Sequence, residues 1–139
     1  MKVIFDTNIY ISFIRNRSFD SILQQRGTVK YLSAIVLMEL WAGARTKKAE
    51  RLMIRLQKPY KDAGRIVHLS VNDYITTGSI LSRLSSDYSD LIKKSDFIND
   101  IQIALTALSI GATLYTENRK HFEIIRHVLR GLKIEYPAP

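Results

Sequence analysis

The chain has no cysteine in its 139 residues. That excludes disulfides and thiolate metal sites, and it leaves carboxylate and imidazole as metal ligands. It also fits a reducing compartment. Long apolar runs are missing too: none approaches the roughly 20 residues that a membrane-spanning helix needs. The first residues hold one Lys and a brief apolar run that Asp6 interrupts, so no secretory signal is read there. The expectation is a cytoplasmic protein with no membrane partner. With only 3 prolines and 6 glycines, the chain shows no linker that would divide it, and it has no internal repeat. No Walker-type loop is present, which argues against nucleotide hydrolysis. No serine stands in a Gly-x-Ser-x-Gly elbow, and His68, His121 and His127 lack the spacing of a zinc motif.

What is present is an ordinary globular mix, 46% apolar and 24% charged, at a length that suits one domain over residues 1–139. The charge is lopsided. There are 21 Lys and Arg against 13 Asp and Glu, a formal net charge of +8. Such a field favours a polyanion, most often nucleic acid, or an acidic protein partner, and charge alone does not separate the two.

The pattern alternates between strands and helices. Lys2 to Phe5 reads as a buried strand ending at the turn Asp6-Thr7-Asn8. A helix follows through Ile14, capped by Asp6 or Thr7, and a second helical stretch runs from Phe19 to Gln25. Thr28 to Leu32 reads as a strand, and Ser33 caps a helix over Ala34 to Ala44. Thr46 to Lys58 is a basic amphipathic helix that Pro59 is expected to close. Arg65 to Leu69 is a third strand, followed by a helix capped by Ser70 that runs through Leu84. Ser85 to Asp96 is polar and reads as a loop region, part of which could be helical. Phe97 to Ile110 is the clearest helix, with Ile101, Ala104, Leu105 and Leu108 at helical spacing and Gly111 as its terminal glycine. Ala112 to Tyr115, Asn118 to Leu129 and Lys133 to Tyr136 complete the series as strand, helix and strand. The fold class is α/β, a three-layer α/β/α sandwich around a mainly parallel sheet of four to five strands.

Three acids interrupt this pattern. Asp6 stands at the carboxyl end of a buried strand, where open α/β sheets place their sites, although an Asp there is also a common helix cap. Glu39 breaks the apolar run Ile35 to Ala42, so it either faces water or needs a partner or a metal. Asp100 shares a helix face with Ala104 and Leu108, and the helix dipole alone also favours an acid in a first turn. Together the three suggest carboxylates converging at one end of a parallel sheet. Such a cluster repels itself unless a cation compensates, and an oxygen-rich site suits Mg²⁺ or Mn²⁺ acting on a phosphodiester.

Read in order, Val3-Ile4-Phe5-Asp6-Thr7-Asn8, Leu37-Met38-Glu39-Leu40-Trp41-Ala42-Gly43, Asn99 to Leu108 and Gly111 to Phe122 resemble the four motifs of PIN-domain nucleases. Size and motif wording resemble the VapC-type toxins of bacterial and archaeal toxin–antitoxin pairs. The resemblance implies Mg²⁺- or Mn²⁺-dependent RNA cleavage by activated water, leaving a 5′-phosphate and a 3′-hydroxyl. By that resemblance Asp6, Glu39 and Asp100 bind metal, Thr7 and Asn8 orient Asp6, and Thr116 lines the site. It also implies a cognate antitoxin and a homodimer. One departure stands out. Many relatives carry a fourth acid after the last core strand, where this chain has Asn118 and, just before Phe122, His121. Asn118 retains an amide oxygen for a ligand or a water but adds no charge. Asp96 and Glu117 are the candidate replacements. Arg15, Arg17, Arg119 and Lys120 follow the turns of the motifs and are the first candidates for RNA contact, ahead of the basic helix. The alternative reading is a catalytically weak PIN-like module that holds RNA or protein.

Overall fold

Five short segments build the sheet: β1 (Lys2–Phe5), β2 (Val29–Ser33), β3 (Ile66–Val67), β4 (Thr113–Tyr115) and β5 (Lys133–Glu135). In the computed structural model, which describes residues 1–139, they lie in the order β3-β2-β1-β4-β5. Every pairing is parallel. β1 is central, with Ile4 set between Tyr31 of β2 and Leu114 of β4. Its Val3, Ile4 and Phe5 are at most 1% exposed, which explains why that strand is uniformly apolar.

Parallel strands need crossovers, and seven helices supply them: α1 (Thr7–Asn16), α2 (Asp20–Leu23), α3 (Ala34–Ala42), α4 (Lys47–Asp62), α5 (Val71–Leu84), α6 (Ser95–Ser109) and α7 (Arg119–Val128). The chain steps outward from β1 to β3, then returns past β1 to β4 and β5. Right-handed crossovers therefore place the two groups of helices on opposite faces, giving the three-layer α/β/α arrangement. α4 packs on β2, and α6 packs on both β2 and β4. No helix is long and apolar enough to cross a membrane.

The helix starts follow local chemistry. Asp6, Ser33, Thr46 and Asn118 cap α1, α3, α4 and α7 through their side chains. Ser70 and Asp73 form a reciprocal capping box on α5. Gly111 takes a φ of 67° just after α6, a conformation that favours glycine.

Two expectations need revision, and one is sharpened. Pro59 does not close α4, which continues to Asp62. The missing proline N–H forfeits one bond near the helix end, while the Tyr10 and Tyr60 hydroxyls, 2.8 Å apart, tie the final turn to α1. The stretch from Ser85 to Asp96 is partly helical, as its sequence allowed: Leu91–Lys93 form a 3-10 turn, and α6 begins at Ser95. The Phe19 to Gln25 helix shrinks to Asp20–Leu23, because Phe19 adopts a left-handed φ of 65°.

Candidate active site

The carboxyl edge of the sheet is where the acids meet. Asp6 is the first residue beyond β1, and its N–H still bonds to the Tyr115 carbonyl of the neighbouring strand at 2.8 Å. Its side chain is therefore fixed by the sheet on one side and by α1 on the other. Oδ1 accepts from the Thr7 N–H at 2.7 Å. Oδ2 accepts from the Thr116 hydroxyl at 2.6 Å and from the Asn8 amide at 3.2 Å. Asp6 is 3% exposed.

Glu39 comes from α3, whose Val36 and Leu40 enter the core while Glu39 stays half-buried. The Thr7 hydroxyl donates to its Oε1 at 2.6 Å, and the Asn99 amide reaches its Oε2 at 3.4 Å. Thr7 thus links the capped start of α1 to the second acid. Asp100 comes from α6 and is 7% exposed. Its Oδ2 accepts from the Asn118 amide at 3.1 Å and lies 2.7 Å from His121 Nδ1. No hydrogen bond engages its Oδ1.

No Lys or Arg bridges any of these three carboxylates. The electrostatic result is strong. Burial, with the Glu39 charge adding to it, pushes Asp6 up to about 6, against the opposing bonds from Thr116, Thr7 and Asn8. Burial and the charges of Asp6, Glu39 and Asp96 push Asp100 up to about 8. Burial and nearby Lys120 lower His121. Both partners of the His121–Asp100 contact are thus shifted toward their neutral forms, and the contact is a hydrogen bond more than an ion pair.

This chemistry fits a divalent cation. Clustered carboxylates without a basic partner relax when a positive ion enters. No three acidic or imidazole side chains form a ready-made metal cage. Mg²⁺ does not require one, because it usually keeps several waters and takes one or two carboxylates.

Other residues singled out in the sequence fall in different places. Thr7, Asn8 and Thr116 all bond to the acids. Asn118 turns its Nδ2 to Asp100, while its Oδ1 caps α7 by accepting from the His121 N–H at 3.2 Å. Its amide oxygen is therefore already engaged. Asp96 is exposed and acts on Asp100 through its charge. Glu117 accepts from Ser12 at 2.8 Å on the surface, which draws its carboxylate toward α1. Arg15 is exposed and shares a small apolar groove with Glu39. Arg17 ends α1, roughly 15 Å along that helix from the Asp6 cap, and its guanidinium lies over the Phe13 ring. Arg119 covers the Tyr136 ring, with 4.0 Å between guanidinium and centroid. Lys120 is exposed beside His121.

His121, the histidine that the pattern puts within reach of the site, does meet Asp100, three residues beyond Asn118 on the same helix face. One contact is not marked in the sequence. Asn99 reaches Glu39 across a separation of 60 residues, which spacing does not reveal.

Comparison with known proteins points to one family. The PIN domain family matches residues 3–127. Ribonuclease VapC1 of Methanocaldococcus jannaschii is 27% identical over 135 residues, covering 96% of this chain and 86% of the relative. Among solved structures, VapBC2 from Rickettsia felis, bound to a DNA fragment from its promoter, superposes with a TM-score of 0.70 at 27% identity, covering 99% of this chain and 100% of that one. VapBC-1 from nontypeable Haemophilus influenzae gives 0.70 at 25% identity, covering 97% of each chain. With 125 consecutive positions matched, from 3 to 127, and the acids at the carboxyl edge of a five-stranded parallel sheet, the chain belongs to the PIN domain family.

Proposed function

We propose that this chain is a Mg²⁺- or Mn²⁺-dependent endoribonuclease, acting in the cytoplasm as the toxin of a toxin–antitoxin pair. The observation that carries this reading is the buried Asp6–Asp100 pair, joined by Glu39 and lacking any Lys or Arg bridge. Asp6, Glu39 and Asp100 hold the ion. Bound there, it supplies Lewis acidity for water activation and compensates charge on the phosphodiester. Thr116 and Asn8 orient Asp6 through Oδ2. Thr7 fixes Glu39. Asn118 and His121 hold Asp100 by Oδ2 and leave Oδ1 for the ion. Lys120 and Arg15, exposed near the acids, attract the RNA backbone.

The similarity to VapC1, named a ribonuclease, and to VapBC assemblies supports RNA as substrate and an antitoxin as partner. A groove of about 210 Å³ lined by Ile11, Ile14, Leu40 and Leu52 opens beside Glu39 and Arg15. It offers an antitoxin segment an apolar approach to the acids.

The deciding experiment is RNA cleavage with and without Mg²⁺ for the wild type, Asp6→Asn and Asp100→Asn. Each substitution is expected to lower cleavage by at least about a hundredfold. Wild-type rates in both variants would defeat the reading. A second reading, a catalytically weak module that holds RNA or protein, is favoured by one observation: Asn118 spends both ends of its amide on Asp100 and the α7 cap and adds no charge. Calorimetric titration with Mn²⁺ separates the two, since a pure binder need take up no ion.

A further inference from the structure

A cleft of about 490 Å³, more than twice the volume of the groove beside Glu39, opens away from the acids. Residues of α1, α2, α4 and β2 form its walls. Two of its cations mark its place in the fold. Lys30 is the second residue of β2, and Arg65 directly precedes β3, so both stand at the amino edge of the parallel sheet. Lys30 lies about 10 Å down its strand from Ser33. Asp6, Glu39 and Asp100 sit at the opposite edge, and none of them lines this cleft.

Its charge is of one sign. Lys30, Arg55 and Arg65 line it, and no Asp or Glu does. The groove beside Glu39 sets Arg15 with that acid, and the cleft over Leu91 sets Lys94 and Lys120 with Asp87 and Asp90. None of Lys30, Arg55 and Arg65 takes part in a salt bridge.

Its donors outnumber its acceptors. Half-buried Lys30 spends N–H groups on the Gln25 carbonyl at 2.7 Å and the Thr28 hydroxyl at 3.1 Å, which leaves one unspent. The Tyr10 and Tyr60 hydroxyls bond to each other at 2.8 Å, so one phenolic hydrogen is left over, and both rings line the cleft. The remaining wall is apolar, with Phe13, Leu23, Leu56 and Pro59. The Tyr60 carbonyl accepts from the Arg65 N–H at 2.8 Å. With that bond and the tyrosine pair tying α4 to both neighbours, the cleft is formed before a ligand arrives.

Cations without acids and donors without acceptors select an anion. Guanidinium forks match phosphate oxygens in particular. The apolar wall asks for a flat organic body attached to that anion, and the volume falls in the range of small-molecule sites. We propose that this cleft binds a nucleoside monophosphate, with its phosphate on Lys30, Arg55 and Arg65 and its base on the apolar wall. The site is separate from the acids, and the proposal does not depend on the nuclease reading.

The test is calorimetric titration of the purified chain with adenosine monophosphate in low-salt buffer free of divalent metal, so that no ion draws the nucleotide to the acids. Adenosine and inorganic phosphate each lack one half of the ligand and should bind at least about tenfold more weakly than the nucleotide. Arg55→Gln and Arg65→Gln should each weaken the nucleotide by at least about tenfold. Both arginines are exposed, and far-ultraviolet circular dichroism should show both variants folded. Arg83→Gln removes the same charge from exposed α5 surface and should leave binding unchanged. No binding of the nucleotide, or equal affinity in the wild type and both cleft variants, would overturn the proposal. Inorganic phosphate that binds as tightly as the nucleotide would overturn it too, leaving a bare anion site. An oligoribonucleotide without a terminal phosphate that displaces the nucleotide, and that Arg55→Gln releases, would overturn it and assign the cleft to an RNA strand. An acidic peptide that does the same would assign it to a protein partner.

Discussion

Asp6 and Asp100 are held near each other's charge with no Lys or Arg bridging them, and that tension has a measurable sign. Their pKa values, about 6 and about 8 in the folded chain, lie above the ordinary 3.8. The folded state therefore binds protons that the unfolded state has already released. Stability of the metal-free protein should be greatest below about pH 4, fall as pH rises through 6 and 8, and level off above that. Thermal melts in a chelating buffer from pH 4 to pH 9 check the direction. Asp100→Asn should flatten the upper part of the fall and stabilise the metal-free protein at pH 8 by roughly 1–3 kcal/mol. A rise in stability toward pH 8 would contradict this account. Thr116 tests the opposite arm, because its hydroxyl is the strongest influence holding Asp6 down. Thr116→Val should destabilise the protein at pH 8 by roughly 1–3 kcal/mol in urea melts and slow cleavage, while Thr116→Ser should restore both. At this scale the sequence was partly legible. Asp6, Glu39 and Asp100 drew notice because each interrupts apolar surroundings, where a carboxylate needs a reason. Asn99 drew none, since its partner Glu39 is brought to it only by the packing of α3 on α6.

Among the elements, α4 shows where a local rule yields to packing. Proline ends helices because it lacks a donor and crowds the carbonyl four residues back, here that of Arg55. In α4 that cost falls near the helix end, and Tyr60, the next residue, is bonded to buried Tyr10. Pro59→Ala should therefore raise stability by roughly 1–3 kcal/mol in urea melts. The alternation of strand and helix, the caps at Ser33 and Ser70, and the terminal glycine of α6 were all readable, because each depends on a few neighbouring residues. The length of α4, the brevity of α2 and the 3-10 turn at Leu91–Lys93 were not. Those depend on contacts made across the fold.

For the molecule as a whole, charge governs association. The excess of +8 should make RNA affinity fall steeply with added salt. Filter binding across 50 to 500 mM salt, roughly the range over which screening changes most, checks the trend. An affinity that salt leaves unchanged would mean that the basic excess does not carry the contact.

The bond from Thr116 to Asp6 joins residues 110 positions apart, and β4 is the neighbour that completes the central strand. A ribosome making this protein therefore meets no finished site before β4 emerges. Asp6 is synthesised well before Thr116, and it acquires its hydroxyl partner only when Thr116 has left the exit tunnel. Maturation of the acid cluster therefore waits for β4, so a product truncated at Gly111 should fail to cleave RNA in the assay that the full chain passes.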